Sequence, residues 1–193
     1  MENVHEINLM SEDLWDFANN FAEDDFTETD NIMADLGSPK PVIRWNPQLE
    51  NITNPQFKIA LAWWNAARNN RSYPSPQDVD PILLKSILGR IALLDVIENG
   101  ADFRYRLYGS EIVPKIGKDL TGKLLSEIWT PIRPFFMINY RAILLRKEPL
   151  YTIHQPHHSL ELSKWERLIL PLGIGEEVQR LMVVLIPTLP GYA

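Results

Sequence analysis

Residues 102 to 128 read DFRYRLYGSEIVPKIGKDLTGKLLSEI, and their hydrophobic rhythm changes halfway along. Phe103, Tyr105 and Leu107 recur at every second position, the period of a strand with one buried face. After Gly109 the apolar residues Ile112, Val113, Ile116, Leu120, Leu124 and Leu125 gather between glycines, the pattern of short helical turns. A strand therefore ends at Gly109 and hands over to helical segments. The alternation predicts that Phe103, Tyr105 and Leu107 face inward and that Arg104, Arg106 and Tyr108 lie on the opposite side. Arg106 is then left to solvent, or to a carboxylate on a neighbouring strand or subunit.

The same reasoning extends in both directions. Upstream, RIALLDVIE (90 to 98) reaches the first strand through ENGA, whose Asn-Gly is a strong hairpin signal. Downstream, LYTIHQ (150 to 155), KWERLILPL (164 to 172) and QRLMVVLIP (179 to 187) are further strand candidates, the last two joined by the glycine-containing GIGEEV. Asn54-Pro55, Asp80-Pro81 and Thr130-Pro131 each set a capping side chain before a proline, which predicts helices over 55–70, 81–88 and 131–147. The third carries Phe135, Phe136, Ile138, Tyr140, Ile143 and Leu145 around most of its circumference, the sign of a helix buried on more than one side. Strand pairs flanking one helical block predict an α+β fold: a five-stranded antiparallel sheet with helices packed on one face.

Residues 1 to 38 hold eleven Asp or Glu and no Lys or Arg, which leaves 14 acidic and 19 basic residues in the rest of the chain. Within SEDLWDFANNFAEDDF (11 to 26), Leu14, Phe17 and Phe21 fall at helical spacing, with Ser11 placed to cap. The chain thus divides into an acidic N-terminal extension, 1–54, made of an amphipathic helix and a linker from about 27, and a body, 55–193. The stripe of that helix needs a partner.

Several functional classes are excluded. With no cysteine there is no disulfide, no thiolate chemistry and no Cys-based zinc site. No apolar run approaches the roughly 20 residues that cross a bilayer, and the basic residues form no cluster suited to nucleic acid. A cytoplasmic protein with no membrane and no nucleic-acid partner is expected. No Ser/His/Asp set, acid/base carboxylate pair or phosphate loop is recognisable, so no enzyme is expected. His154, His157 and His158, with Glu161 nearby, fall where a hairpin connection should lie and read as an exposed loop, with no metal predicted.

W64NAAR68, P74SPQDVDP81, G89RIALLDV96, F103RYRLYG109, G117KDLTG122 and L170PL172, in that order, resemble a bacterial PAS-like family over residues 57 to 187. The resemblance implies a sensory or interaction role in signalling, with a small molecule or a partner protein bound. It leaves the cofactor unknown. Haem is disfavoured because the long helix offers no histidine, and a cysteine-dependent flavin adduct is impossible. A ligand would sit between sheet and helices, with Phe103, Tyr105, Leu107, Ile116, Phe136, Tyr140, Leu168 and Leu170 as candidate lining. Residues 181 to 186 are apolar on both faces, which predicts that the outer sheet face is covered as well. Leu14, Phe17 and Phe21 of the leader, or a second subunit meeting Trp165 and Ile169, would supply that cover; a homodimer is the expected assembly. The alternative reading is a structural adaptor whose core is filled by its own side chains and whose acidic leader docks a partner.

Overall fold

The computed structural model describes residues 13–155 and 164–188. Ser11, His157, His158 and Glu161 lie outside them. The elements are α1 (Asp13–Ala22), α2 (Thr27–Asp35), β1 (Val42–Trp45), α3 (Pro55–Arg68), β2 (Ile91–Ile97), β3 (Asp102–Tyr108), α4 (Val113–Ile116), α5 (Arg133–Arg146), β4 (Leu150–His154), β5 (Lys164–Ile174) and β6 (Glu177–Thr188), with short 3-10 turns between. Six antiparallel strands lie in the order β1-β4-β5-β6-β2-β3, so the fold is α+β. The five expected strands are all present. The sixth, β1, lies in the stretch expected to be linker and pairs along the free edge of β4, Val42 opposite Ile153 and Trp45 opposite Leu150. Residues 27–54 are therefore a helix and an edge strand. Four residues of VIRW are too short a run to show an alternation.

Side-chain parity sorts the sheet into two faces. Trp165, Arg167 and Ile169 of β5 share a face with their cross-strand partners His154, Thr152 and Leu150 of β4 and with Leu185 and Val183 of β6. Against this inner face lies α5: Phe135 and Phe136 meet His154 at 5.4 and 5.6 Å between ring centroids. On the outer face, Tyr151 of β4 meets Phe57 of α3 edge-on at 5.7 Å. The indole Nε1 of Trp64 donates to the Pro171 carbonyl at 2.8 Å. The expected helical cover on one face is thus α5, and the outer face, which its apolar residues require to be covered, receives α3. The leader helix does not reach it. Instead α1 packs on α5, with Leu14 and Phe21 fully buried and Phe17 half-buried.

Helix starts follow the capping chemistry in one case of three. Asn54 accepts a hydrogen bond from the Gln56 N–H at 2.9 Å and Pro55 opens α3. Residues 81–87, expected as helix, form a run of turns begun by Asp80, whose carboxylate accepts from the Ile82 N–H. Thr130 caps nothing: α5 begins at Arg133, with Pro134 in its first turn. At the joint after β3, a Cβ on Gly109 would stand 2.3 Å from the Gly89 carbonyl oxygen, so only glycine fits the crossing. The chain then doubles back. Residues 122–125 bond to the open edge of β3, with Tyr105 N–H donating to Lys123 and Leu125 N–H to Phe103.

Candidate functional site

A bulge in β3 decides which side chains meet α5. Leu93 faces Leu107 and Leu94 faces Tyr105, so Arg106 is an extra residue without a partner across the strand pair. Beyond it the parity reverses. Phe103 and Tyr105 point inward as expected, but Leu107 turns out and is 38% exposed, while Tyr108 turns in. Arg106 finds its carboxylate on the neighbouring strand, Asp95, at 3.4 Å, and Arg180 holds the other oxygen of the same side chain at 2.7 Å.

Between the inner face, the Phe136 and Tyr140 side of α5 and the segment 116–132 lies a cavity of about 230 Å³. Of the candidate lining residues, Tyr105, Ile116, Phe136 and Tyr140 stand at its wall. Phe103 is buried beside it, edge-on to Tyr140 at 5.2 Å. Leu168 and Leu170 are fully buried on the outer face, so they are not lining. Trp165, expected at an interface, is a cavity wall, and Ile169 is fully buried on the inner face beneath the helical layer. All four corrections on β5 have one cause: its phase is shifted by one residue from that expected, which exchanges the two faces. Leu120, Leu125, Ile128 and Leu185 complete the apolar wall, and Lys118 and Trp129, both exposed, stand at its edge.

Three polar residues were missed. Tyr108 reaches the cavity only because of the bulge. His154, expected in an exposed loop, is the last residue of β4 and is 4% exposed against Phe135 and Phe136. Burial, with repulsion from Arg167 second, holds its imidazole well below the usual histidine range, so the ring is neutral. Arg167 is 1% exposed, its guanidinium carbon 4.4 Å from the centre of the Phe136 ring and 5.2 Å from that of Tyr140. A charged residue amid WERLILPL would pass for a solvent-facing position; the signal was its shared parity with Trp165 and Ile169.

Tyr105 and Tyr108 supply neutral hydroxyls. Burial drives the Tyr105 phenol well above its ordinary value, helped by the neighbouring Tyr140 and Tyr108, and burial likewise raises Tyr108. Among the described lining residues none is Asp or Glu. Among the described residues no group of three or more His, Asp or Glu is placed to hold a metal ion, and no helix is long and apolar enough to cross a membrane. The arrangement can therefore enclose an apolar body and present hydroxyls, one neutral imidazole and one cation to it.

A family model described as a PAS domain matches residues 52–183. No curated protein and no solved structure matches the chain.

Proposed function

The chain belongs to the PAS domain family, and from that premise we propose that it is a cytoplasmic sensory module that holds a small molecule between α5 and the sheet and reports its presence to a partner. A PAS domain is a sensory or interaction module. The observation that favours the sensory reading is the cavity itself, an apolar space on which Tyr105, Tyr108, Tyr140, His154 and Arg167 converge. An adaptor would fill that space with its own side chains. The leader also supports the adaptor reading less, since Leu14 and Phe21 are already buried within the chain. At about 230 Å³ the cavity is below the roughly 300–1,000 Å³ of drug-sized sites. That size suits a compact ligand and argues against haem or flavin.

Occupancy has a short route outward. Arg167 faces the cavity and Leu168, its neighbour in β5, faces the layer occupied by α3, so a shift of β5 acts on both. Contact with a signalling partner, or pairing of two copies as a homodimer, would read that shift through α3. Native mass spectrometry of the purified chain tests the reading. A bound mass that denaturation releases, and that Leu125→Trp excludes while the circular dichroism spectrum is kept, is the expected result. A bare polypeptide mass, together with no chemical-shift change on screening small acids, alcohols and amides, would overturn it.

A further inference from the structure

Arg167 and Arg141 are both buried arginines, 1% and 2% exposed, yet they are provided for differently. Arg141 donates to the Gly100 carbonyl at 2.9 Å and to the Ala101 carbonyl at 3.3 Å, which leaves only its Nη1 open. Arg167 reaches the Asn139 side-chain oxygen at 3.5 Å, the limit of a hydrogen bond, and its Nη2 has no partner. Among the described residues no carboxylate pairs with it. A guanidinium cannot shed its proton, so the charge stays where it is. The rings of Phe136 and Tyr140 offset part of its desolvation but accept no N–H in its plane. Close by, His154 Nδ1 also lacks a partner, as does the hydroxyl of Thr152, which is paired across the strands with Arg167. Of these, His154 and Arg167 line the cavity, where open buried polar atoms can take a ligand as their partner.

Resting on the reading of the cavity as a ligand site, we propose that Arg167 anchors a small monocarboxylate whose apolar or aromatic body lies among Tyr105, Tyr108, Phe136 and Trp165. A carboxylate accepts two parallel N–H bonds from a guanidinium fork and returns one negative charge for one positive. The neutral His154 ring adds no second cation, and Lys118 stays at the exposed edge. A phosphate dianion would therefore carry an uncompensated charge into an apolar wall. The Tyr105 and Tyr108 hydroxyls remain protonated and can donate to the same carboxylate.

The test compares sodium benzoate, benzamide and inorganic phosphate on the full chain by titration calorimetry, with binding in the cavity located by chemical shifts. Benzoate is expected to bind roughly tenfold or more tightly than its neutral amide, and phosphate not at all. Arg167→Met should abolish that preference and leave the amide's affinity within a factor of about two; if the variant does not fold, the acid-to-amide ratio of the unaltered chain decides alone. Equal binding of acid and amide overturns the carboxylate anchor and leaves the cavity as a ligand site. Phosphate binding as tight as benzoate also overturns it. Failure of both ring compounds to enter the cavity overturns the anchor and the ligand-site reading together.

Discussion

The guanidinium carbon of Arg141 lies 4.6 Å from the centre of the Trp15 ring, joining the amino-terminal extension to the helix that covers the cavity. Next to this pair, Leu14 and Phe21 are fully buried, and Phe21 meets Phe26 and Trp45 edge-on at 4.9 and 5.8 Å. Leu14→Ala is expected to cost about 2–5 kcal/mol, the range for a leucine truncated in a packed core. Urea unfolding measures it. A loss below about 0.5 kcal/mol, the level of ordinary surface substitutions, would show that α1 contributes nothing to the body.

On the other side of the sheet, the Trp64 indole is the one side-chain hydrogen bond described between α3 and β5. Trp64→Phe keeps a ring but leaves the Pro171 carbonyl without its donor. The expected loss is about 1–3 kcal/mol, with faster amide exchange along α3 as the local signature. Unchanged exchange there would mean that α3 is held by apolar contact alone.

Glycine requirements separate cleanly at two positions. Gly109→Ala drives a methyl into the backbone of Gly89 and Ile91, at 2.3 and 2.9 Å from their carbonyl oxygens, and backbone cannot swing aside. Gly117→Ala meets nothing within 4 Å and carries only the strain of a φ of +81°, about 1–2 kcal/mol. The Gly109 variant should therefore be the less stable of the two in thermal unfolding. The reverse order would show that the crossing at Gly109 relaxes.

Protonation of His154 opposes folding. Its folded-state value lies well below 6.5, so at mildly acidic pH the unfolded chain binds a proton that the folded chain does not. Its contribution is complete above about pH 6.5 and declines as the pH falls below that value toward the folded-state one. Unfolding free energy should thus drop between pH 7 and pH 5 more steeply in the native chain than in His154→Phe. Parallel curves would show that this ring stays solvated.

Much of the architecture was legible because it rests on local signals. Asn-Gly between β2 and β3, Gly175 between β5 and β6, and the apolar circumference of α5 all state their roles within a few residues. The cavity lining was less legible because it depends on phase. An extra residue at Arg106 reverses the parity of β3, and β5, apolar on both sides, offers no polar alternation to fix its own. Leu107 and Leu168 were misplaced for these two reasons, and Tyr108 was missed for the first. The burial of Arg167 was readable only from its parity with Trp165 and Ile169, and that parity was assigned to the wrong face.

The family match begins at residue 52, whereas β1 closes one border of the sheet from residue 42. A protein shortened to the matched segment would bare the hydrogen-bonding rim of Leu150–His154 together with the oily flank of α5 that α1 shields. An unpaired rim of that kind recruits strands from other molecules. Trimming to the family boundary is thus expected to favour self-association over what the full chain shows, which light scattering of the two proteins side by side would read.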